Sequence, residues 1–223
     1  MWICVAFDRI CYRIMDNVVS LTLGSVMSGL GKQAKILSKH QQTAVLSFLE
    51  TTRHSDRNKL IFLLSVRAGL RAKEIASITW SMVTDAEGQI TDCIQLENAA
   101  SKGRSGGTIW LNAELRQALI DYQQKTCKFT DADKKIIKSG RKNAMTAQMI
   151  VNLFYSWYRK LGFSGCSSHS GRRTFITNAA RKISSVGGSM RDVQMLARHA
   201  SLQMTQRYID ADVEAQKKVV QLV

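Results

Sequence analysis

A chain of 223 residues with 45% hydrophobic content is in the range of globular proteins and can bury one large core or two small ones. Its 32 Lys and Arg against 17 Asp and Glu leave a net charge of +15, which points to a polyanionic partner, most simply nucleic acid. Five scattered cysteines (Cys4, Cys11, Cys93, Cys127, Cys166), none in a CxxC pair, argue against a disulfide framework and against a zinc site.

A reducing cytoplasm fits that cysteine usage. Asp8, Arg9, Arg13 and Asp16 interrupt the early apolar residues, so no secretory signal is expected. The longest uncharged, apolar-leaning run is Asn17–Gly31, fifteen residues rich in Ser and Gly, and too short to span a bilayer. The chain has no proline, so its turns must rest on Gly, Asn, Asp and Ser.

Residues 1–36 are apolar, punctuated by Gly and Ser, and weakly periodic; they read as a short N-terminal segment, and residues 37–223 as one domain. From Ser38 the pattern sharpens. Ser38 with Gln41 forms a capping box for a helix through about Glu50. Ser55 is the expected cap of a second helix, with Leu60, Ile61, Leu63, Leu64 and Val66 towards a core and Gly69 as its stop. Arg71 follows, then a short helix Ala72–Ile78.

Ile90–Leu96 alternates as a strand, Ser101–Gly107 is a turn by composition, and Thr108–Leu111 returns. Lys102 lies near the tip of that hairpin. Asn112 caps a helix through about Gln124. Residues 125–142 carry seven Lys and Arg against two Asp, either a solvated loop or a phosphate-tracking surface. Thr146–Leu161 has helical spacing, with Met149, Ile150, Leu153, Phe154 and Trp157 as its apolar set. Ser167 or Ser168 opens a helix carrying His169 and Arg172. Ser189 with Asp192 caps a helix ending near His199, Ser201 opens a short helix holding Tyr208, and Asp212–Leu222 is a last amphipathic helix. The expected class is mainly α with one small antiparallel sheet.

The chemistry-bearing residues concentrate between Ser168 and Tyr208. His169 and Arg172 are three apart on a helix near its N-terminus, where unpaired N–H groups favour an anion. By themselves they read equally as a helix cap and a snorkelled arginine. Arg71 in apolar surroundings needs an anionic partner. Glu74 supplies one internally, or orients the guanidinium towards a substrate. Tyr208 is either a packing residue or a nucleophile activated by nearby positive charge.

Taken together, the set resembles the tyrosine recombinase (phage integrase) family. Ala68-Gly69-Leu70-Arg71-Ala72-Lys73-Glu74-Ile75 is similar to its first arginine motif. Ser101-Lys102-Gly103-Arg104 is similar to its hairpin lysine, and His169-Ser170-Gly171-Arg172 to its His-x-x-Arg. His199 and Tyr208 lie within Leu-x-x-His-Ala-Ser-Leu-x-x-Thr-x-x-Tyr, the family's terminal signature. The resemblance covers roughly residues 37–215. It implies a recombinase catalytic-domain fold and site-specific strand exchange on double-stranded DNA, without metal, nucleotide or other cofactor. Tyr208 would form a 3′-phosphotyrosyl link, with Arg71, Arg172, His199, His169 and Lys102 around the phosphate. It further implies a homotetramer on DNA, no membrane role and a cytoplasmic location, nucleoid-associated in a prokaryote. A truncated recombinase that only binds DNA, and a type IB topoisomerase-like enzyme, are the alternatives.

Three departures stand out. Only residues 1–36 precede the catalytic region, where the family usually carries a core-binding domain. Arg173 stands where a His is frequent. Arg198 precedes His199 where the family commonly has Gly, so it either crowds the phosphate or adds a contact to it.

Overall fold

A computed structural model describes residues 33–100, 106–126, 133–140, 143–208 and 219–221. The chain divides into Met1–Gln33 and Ala34–Val223, and every described residue except Gln33 belongs to the second unit. Outside the described residues lie most of the expected N-terminal segment, Lys102 with the hairpin tip, parts of the basic run, and nearly all of the expected last helix.

The described elements are α1 (Lys39–Glu50), α2 (Ser55–Ala68), α3 (Ala72–Ser77), β1 (Cys93–Leu96), β2 (Gly107–Trp110), α4 (Ala113–Thr126), α5 (Ala147–Lys160), α6 (Ser170–Lys182), α7 (Met190–Ala197) and α8 (Leu202–Gln206). The class is the expected one, mainly helical with a two-stranded antiparallel sheet. Among the described residues, no helix is long and apolar enough to cross a membrane.

Polar side chains start the helices. Ser38 Oγ accepts from the Gln41 N–H at 3.1 Å while Gln41 Oε1 accepts from the Ser38 N–H at 3.0 Å, the capping box read from the sequence. Asn112 Oδ1 accepts from the Leu115 N–H at 2.9 Å, and Thr146 Oγ1 from the Met149 N–H at 3.2 Å. Ser55 does not cap α2; it is the first helical residue, and His54 holds the cap position without a side-chain bond.

α2 is the centre of the molecule. Leu60 to Val66 are all buried, Phe62 and Ser65 included, so the helix has no solvent face over that stretch. A helix enclosed on all sides needs neighbours on all sides, and α1, α4 and α6 supply them. Arg67 ties this hub to its flanks: its Nε donates to Glu114 Oε2 on α4 at 2.6 Å, and its Nη1 to Gln42 Oε1 on α1 at 2.7 Å. On α5 the buried stripe is Ile150, Phe154, Trp157 and Tyr158. These positions, i, i+4, i+7 and i+8, are one face of a 3.6-residue helix. Met149, expected in that stripe, is exposed.

The sheet pairs Ile94 with Ile109 and Gln95 with Thr108. β1 starts at Cys93 rather than Ile90, because Ile90 instead bridges Thr84 in the preceding turn. Along its described length the basic run has buried apolar anchors that neither alternative anticipated. Ile136 and Ile137 are buried, and the Ile136 N–H donates to the Ile78 carbonyl at 2.9 Å. Those apolar anchors pin the backbone and leave Lys134 and Lys135 exposed.

A second, smaller cluster of Ile176, Val193 and Ala197 joins α6 to α7, and Phe175, Met190 and Tyr208 pack against it. It carries the C-terminal half of the candidate site, while the large core carries the rest. The junction between α2 and α6 is tight. A Cβ at Gly171 would lie 2.9 Å from Ser65 Cβ and 3.1 Å from its backbone carbon. Gly171→Ala therefore lowers stability by about 1–3 kcal/mol through overpacking, outweighing the roughly 1 kcal/mol that Ala gains over Gly in a helix. Urea unfolding at constant m measures it; a rise in midpoint would contradict the close approach.

Candidate active site

Gly69 ends α2 in the left-handed region (φ +64), and a Cβ there would lie 2.6 Å from the Phe175 ring. Only glycine fits both the dihedral and the space. The reversal places Arg71 at the N-cap of α3. Its N–H donates to Glu74 Oε2 and its Nη1 to Glu74 Oε1, both at 2.8 Å. One carboxylate thus holds Arg71 by backbone and side chain together.

Glu74 is 0% exposed. It also takes a second guanidinium, Arg198, whose Nη2 lies 2.9 Å from Oε2. Burial pushes the Glu74 carboxyl up, but the Arg198 charge, the Arg71 N–H and the Arg71 charge outweigh it and hold the group below the usual carboxylate range.

Arg172, in the first turn of α6, is 2% exposed. It does not snorkel to solvent. Nη1 donates to the Gly69 carbonyl at 2.7 Å, and Nη2 donates to the Ala197 carbonyl. These are carbonyls at the C-terminal ends of α2 and α7, where the helix dipole favours a cation. Burial, and then the neighbouring Arg71, lower its pKa to about 10, so it remains charged at neutral pH. Its Nε is buried and finds no hydrogen-bond partner among the described residues.

α7 ends at Ala197. The Arg198 N–H donates to the Met195 carbonyl at 2.9 Å and the His199 N–H to the Gln194 carbonyl at 3.1 Å, a Schellman closure. The residue at its turn must be left-handed, and Arg198 has φ +53, the one positive φ at a non-glycine among the described residues. That conformation costs about 1–2 kcal/mol for a residue with a Cβ. The closure drops His199 into the site. Its carbonyl accepts from Gln194 Nε2 at 2.9 Å, and its Nδ1 lies 3.0 Å from Thr205 Oγ1. Burial, then the charges of Arg172, Arg71 and Arg198, lower the imidazole pKa to about 4. His199 is therefore neutral at pH 7, and its buried Nε2 finds no partner among the described residues.

Tyr208 follows α8 rather than lying within it. Its carbonyl accepts from Thr177 Oγ1 at 2.7 Å, and its ring sits 5.1 Å from the His199 ring, centroid to centroid. His169 occupies the N-cap of α6, exposed, one turn before Arg172 and not inside the helix as expected; its side chain makes no capping bond. Lys102 lies outside the described residues. Arg71, Arg198, His199, Trp110, Met195 and Met204 line an open cleft of 1170 Å³. Two guanidiniums, Arg71 and Arg198, share the Glu74 carboxylate and line this cleft, and the Arg172 charge lies close behind them, so positive charge exceeds negative here and the cleft suits an anion. Among the described residues no group of three His, Cys, Asp or Glu could hold a metal ion. Sequence reasoning missed the parts that act through backbone: the Gly69 and Ala197 carbonyls and the left-handed turn at Arg198. It also gave no role to Thr205, although Thr205 stands in the motif Leu-x-x-His-Ala-Ser-Leu-x-x-Thr-x-x-Tyr.

Two pH effects follow. The unfolded chain protonates residue 199 near pH 6.5 and the folded chain only near 4, so stability falls as pH drops through that window. Glu74, depressed in the folded state, contributes stability above its unfolded value of roughly 4.3 and loses it as pH falls through its folded value. Imidazole resonances of His199 titrating near 6.5 would contradict this burial. Glu74→Gln is expected to cost about 3–5 kcal/mol at pH 7, because it strands two guanidiniums. That gap to wild type narrows in acid; a gap independent of pH would contradict the ionised state.

The chain matches the phage integrase family over residues 35–215. A search of curated proteins returns no match. Among solved structures it is similar to XerA recombinase, with TM-score 0.63 and 20% identity over 95% of this chain and 70% of that one. It is similar to the Tn1549 transposon integrase in complex with a circular intermediate DNA, with TM-score 0.66, 19% identity, and coverage of 88% and 68%. A lambda integrase dimer bound to a COC′ core site gives TM-score 0.61 and 17% identity, covering 83% of this chain and 62% of that one. These likenesses concern the fold, and the match over residues 35–215 gives the kinship: the chain belongs to the phage integrase family, that of the tyrosine recombinases.

Proposed function

We propose that this protein cuts and rejoins double-stranded DNA at specific sites through a covalent 3′-phosphotyrosyl intermediate on Tyr208. The observation that carries the reading is the cluster of Arg71, held on Glu74, Arg172, held on the Gly69 and Ala197 carbonyls, and a neutral His199 within the field of both, with the Tyr208 ring against the imidazole. The membership and the net charge of +15 support DNA as the anion.

In this mechanism the Tyr208 phenolic oxygen attacks the scissile phosphorus. Its proton passes to His169. The bond to the 5′-oxygen breaks, and Lys102 protonates that oxygen, freeing a 5′-hydroxyl. Arg71 and Arg172 hold the non-bridging oxygens and take up the charge of the transition state. His199 accepts from Thr205 at Nδ1, so Nε2 carries the hydrogen and donates it to the phosphate. One phosphodiester is exchanged for another, so bond energy is conserved and the reverse reaction rejoins strands without a nucleotide. The functional assembly is a homotetramer on two duplexes, associated with the nucleoid in a prokaryote.

Selection of bound sequences from a random duplex library gives a site, and a nicked version of that site traps the intermediate. Wild type is expected to form a denaturation-resistant adduct, and Tyr208→Phe none. Arg71→Ala is expected to slow adduct formation by about 10²–10³-fold. As much adduct from Tyr208→Phe as from wild type would contradict the nucleophile. Binding without any adduct would leave a DNA-binding protein that does not cut.

A further inference from the structure

The cleft holds one guanidinium that the proposed chemistry does not use. Arg198 lies between Ala197, whose carbonyl Arg172 grips, and His199, which faces the same cleft. Its side chain is 7% exposed. Nη2 is anchored on Glu74, yet Nε and Nη1 are buried and find no hydrogen-bond partner among the described residues. A guanidinium carries five donors in a planar fork, and buried donors are ordinarily satisfied. Two stranded donors beside Arg71 and His199 mark a place where a ligand supplies acceptors.

A purely structural ion pair explains less. Glu74 already has Arg71 as its partner through both backbone and side chain. The turn at Arg198 would be better served by glycine, which has no Cβ to strain at φ +53. An arginine held in that conformation, with half its fork unused, fits a group retained for what it binds.

We propose that Arg198 is a third phosphate-binding guanidinium of this cleft, anchored through Nη2 on Glu74 and donating from Nε and Nη1 to a DNA phosphate. This rests on the reading of the cleft as a DNA-phosphate site. Glu74 thereby sets the angle between two phosphate ligands, Arg71 and Arg198, with one carboxylate. Arg198 replaces a small turn residue with a cation, so it adds charge to the site without displacing any other ligand.

Duplex binding tests this without requiring cleavage. Affinity of wild type, Arg198→Gly and Arg198→Lys for one labelled duplex is measured by anisotropy across roughly 50–200 mM salt. Arg198→Gly relieves the left-handed turn, and urea unfolding of each variant verifies the fold. The expected result is weaker binding by Arg198→Gly with a salt slope shallower by about 0.9, while Arg198→Lys keeps its charge and a slope near wild type. A folded Arg198→Gly with wild-type affinity and slope would overturn the proposal and leave a structural ion pair. So would an Arg198→Lys as shallow as Arg198→Gly. The two readings fail separately: wild type that binds the duplex but forms no adduct contradicts Tyr208 chemistry and leaves the salt slopes to decide Arg198. Wild type that binds no duplex at all overturns both.

Discussion

The grip of Arg172 on the carbonyls of Gly69 and Ala197 is the constraint on which the site depends. One side chain joins the end of the central helix to the end of α7. These belong to different hydrophobic clusters, one built around α2 and one around Ile176 and Val193. Burying a guanidinium is expensive unless it is paired or hydrogen-bonded. Two helix C-termini offset part of that cost with oriented carbonyls and favourable dipoles. The geometry of the large core is thereby transmitted to the small one, and Arg71 and His199, held by different elements, come to face one cleft.

Charge gives the cleft its purpose. The charges of Arg172, Arg71 and Arg198 act together on His199, and their combined field, added to burial, keeps it neutral. A neutral imidazole whose Nδ1 accepts from Thr205 donates from Nε2 without adding to the repulsion. The site by itself is therefore electrostatically incomplete. It holds buried donors on Arg172 and Arg198, and the buried His199 Nε2, with no partners among the described residues. An anion with several oxygens relieves both the charge and the unmet hydrogen bonds. On the proposed reading this links stability to function: the groups that strain the free protein are those that would reward a bound phosphate.

Much of the fold was legible because local chemistry and tertiary structure agree. The Ser38–Gln41 box and the Asn112 cap announce themselves in side chains that bond within three residues of home, and the stop at Gly69 in the one residue type that takes a positive φ without strain. The arginine and histidine motifs were legible from identity and spacing. What escaped depends on groups that a sequence does not mark. Arg172 reads either as a phosphate ligand or as a snorkelling residue, and its burial shows only when both carbonyls are seen to converge on it. Arg198 reads as an awkward substitution until its φ and its bond to Glu74 are known. The basic run hides Ile136 and Ile137, whose anchoring role needs Ile78 opposite. Ile90 alternates like strand residues but has its partner in a turn.

The central claim is that buried guanidinium donors wait for a phosphate. It is tested most directly by ¹H–¹⁵N spectra of the arginine side chains with and without duplex DNA. In the free protein the Nε–H of Arg172 should be observable and slow to exchange, because it is sealed from solvent. On adding the duplex its resonance should shift, as the unpaired donor gains an acceptor. An Arg172 Nε–H that exchanges freely, or one that stays unmoved while the protein is saturated with DNA, would contradict the account.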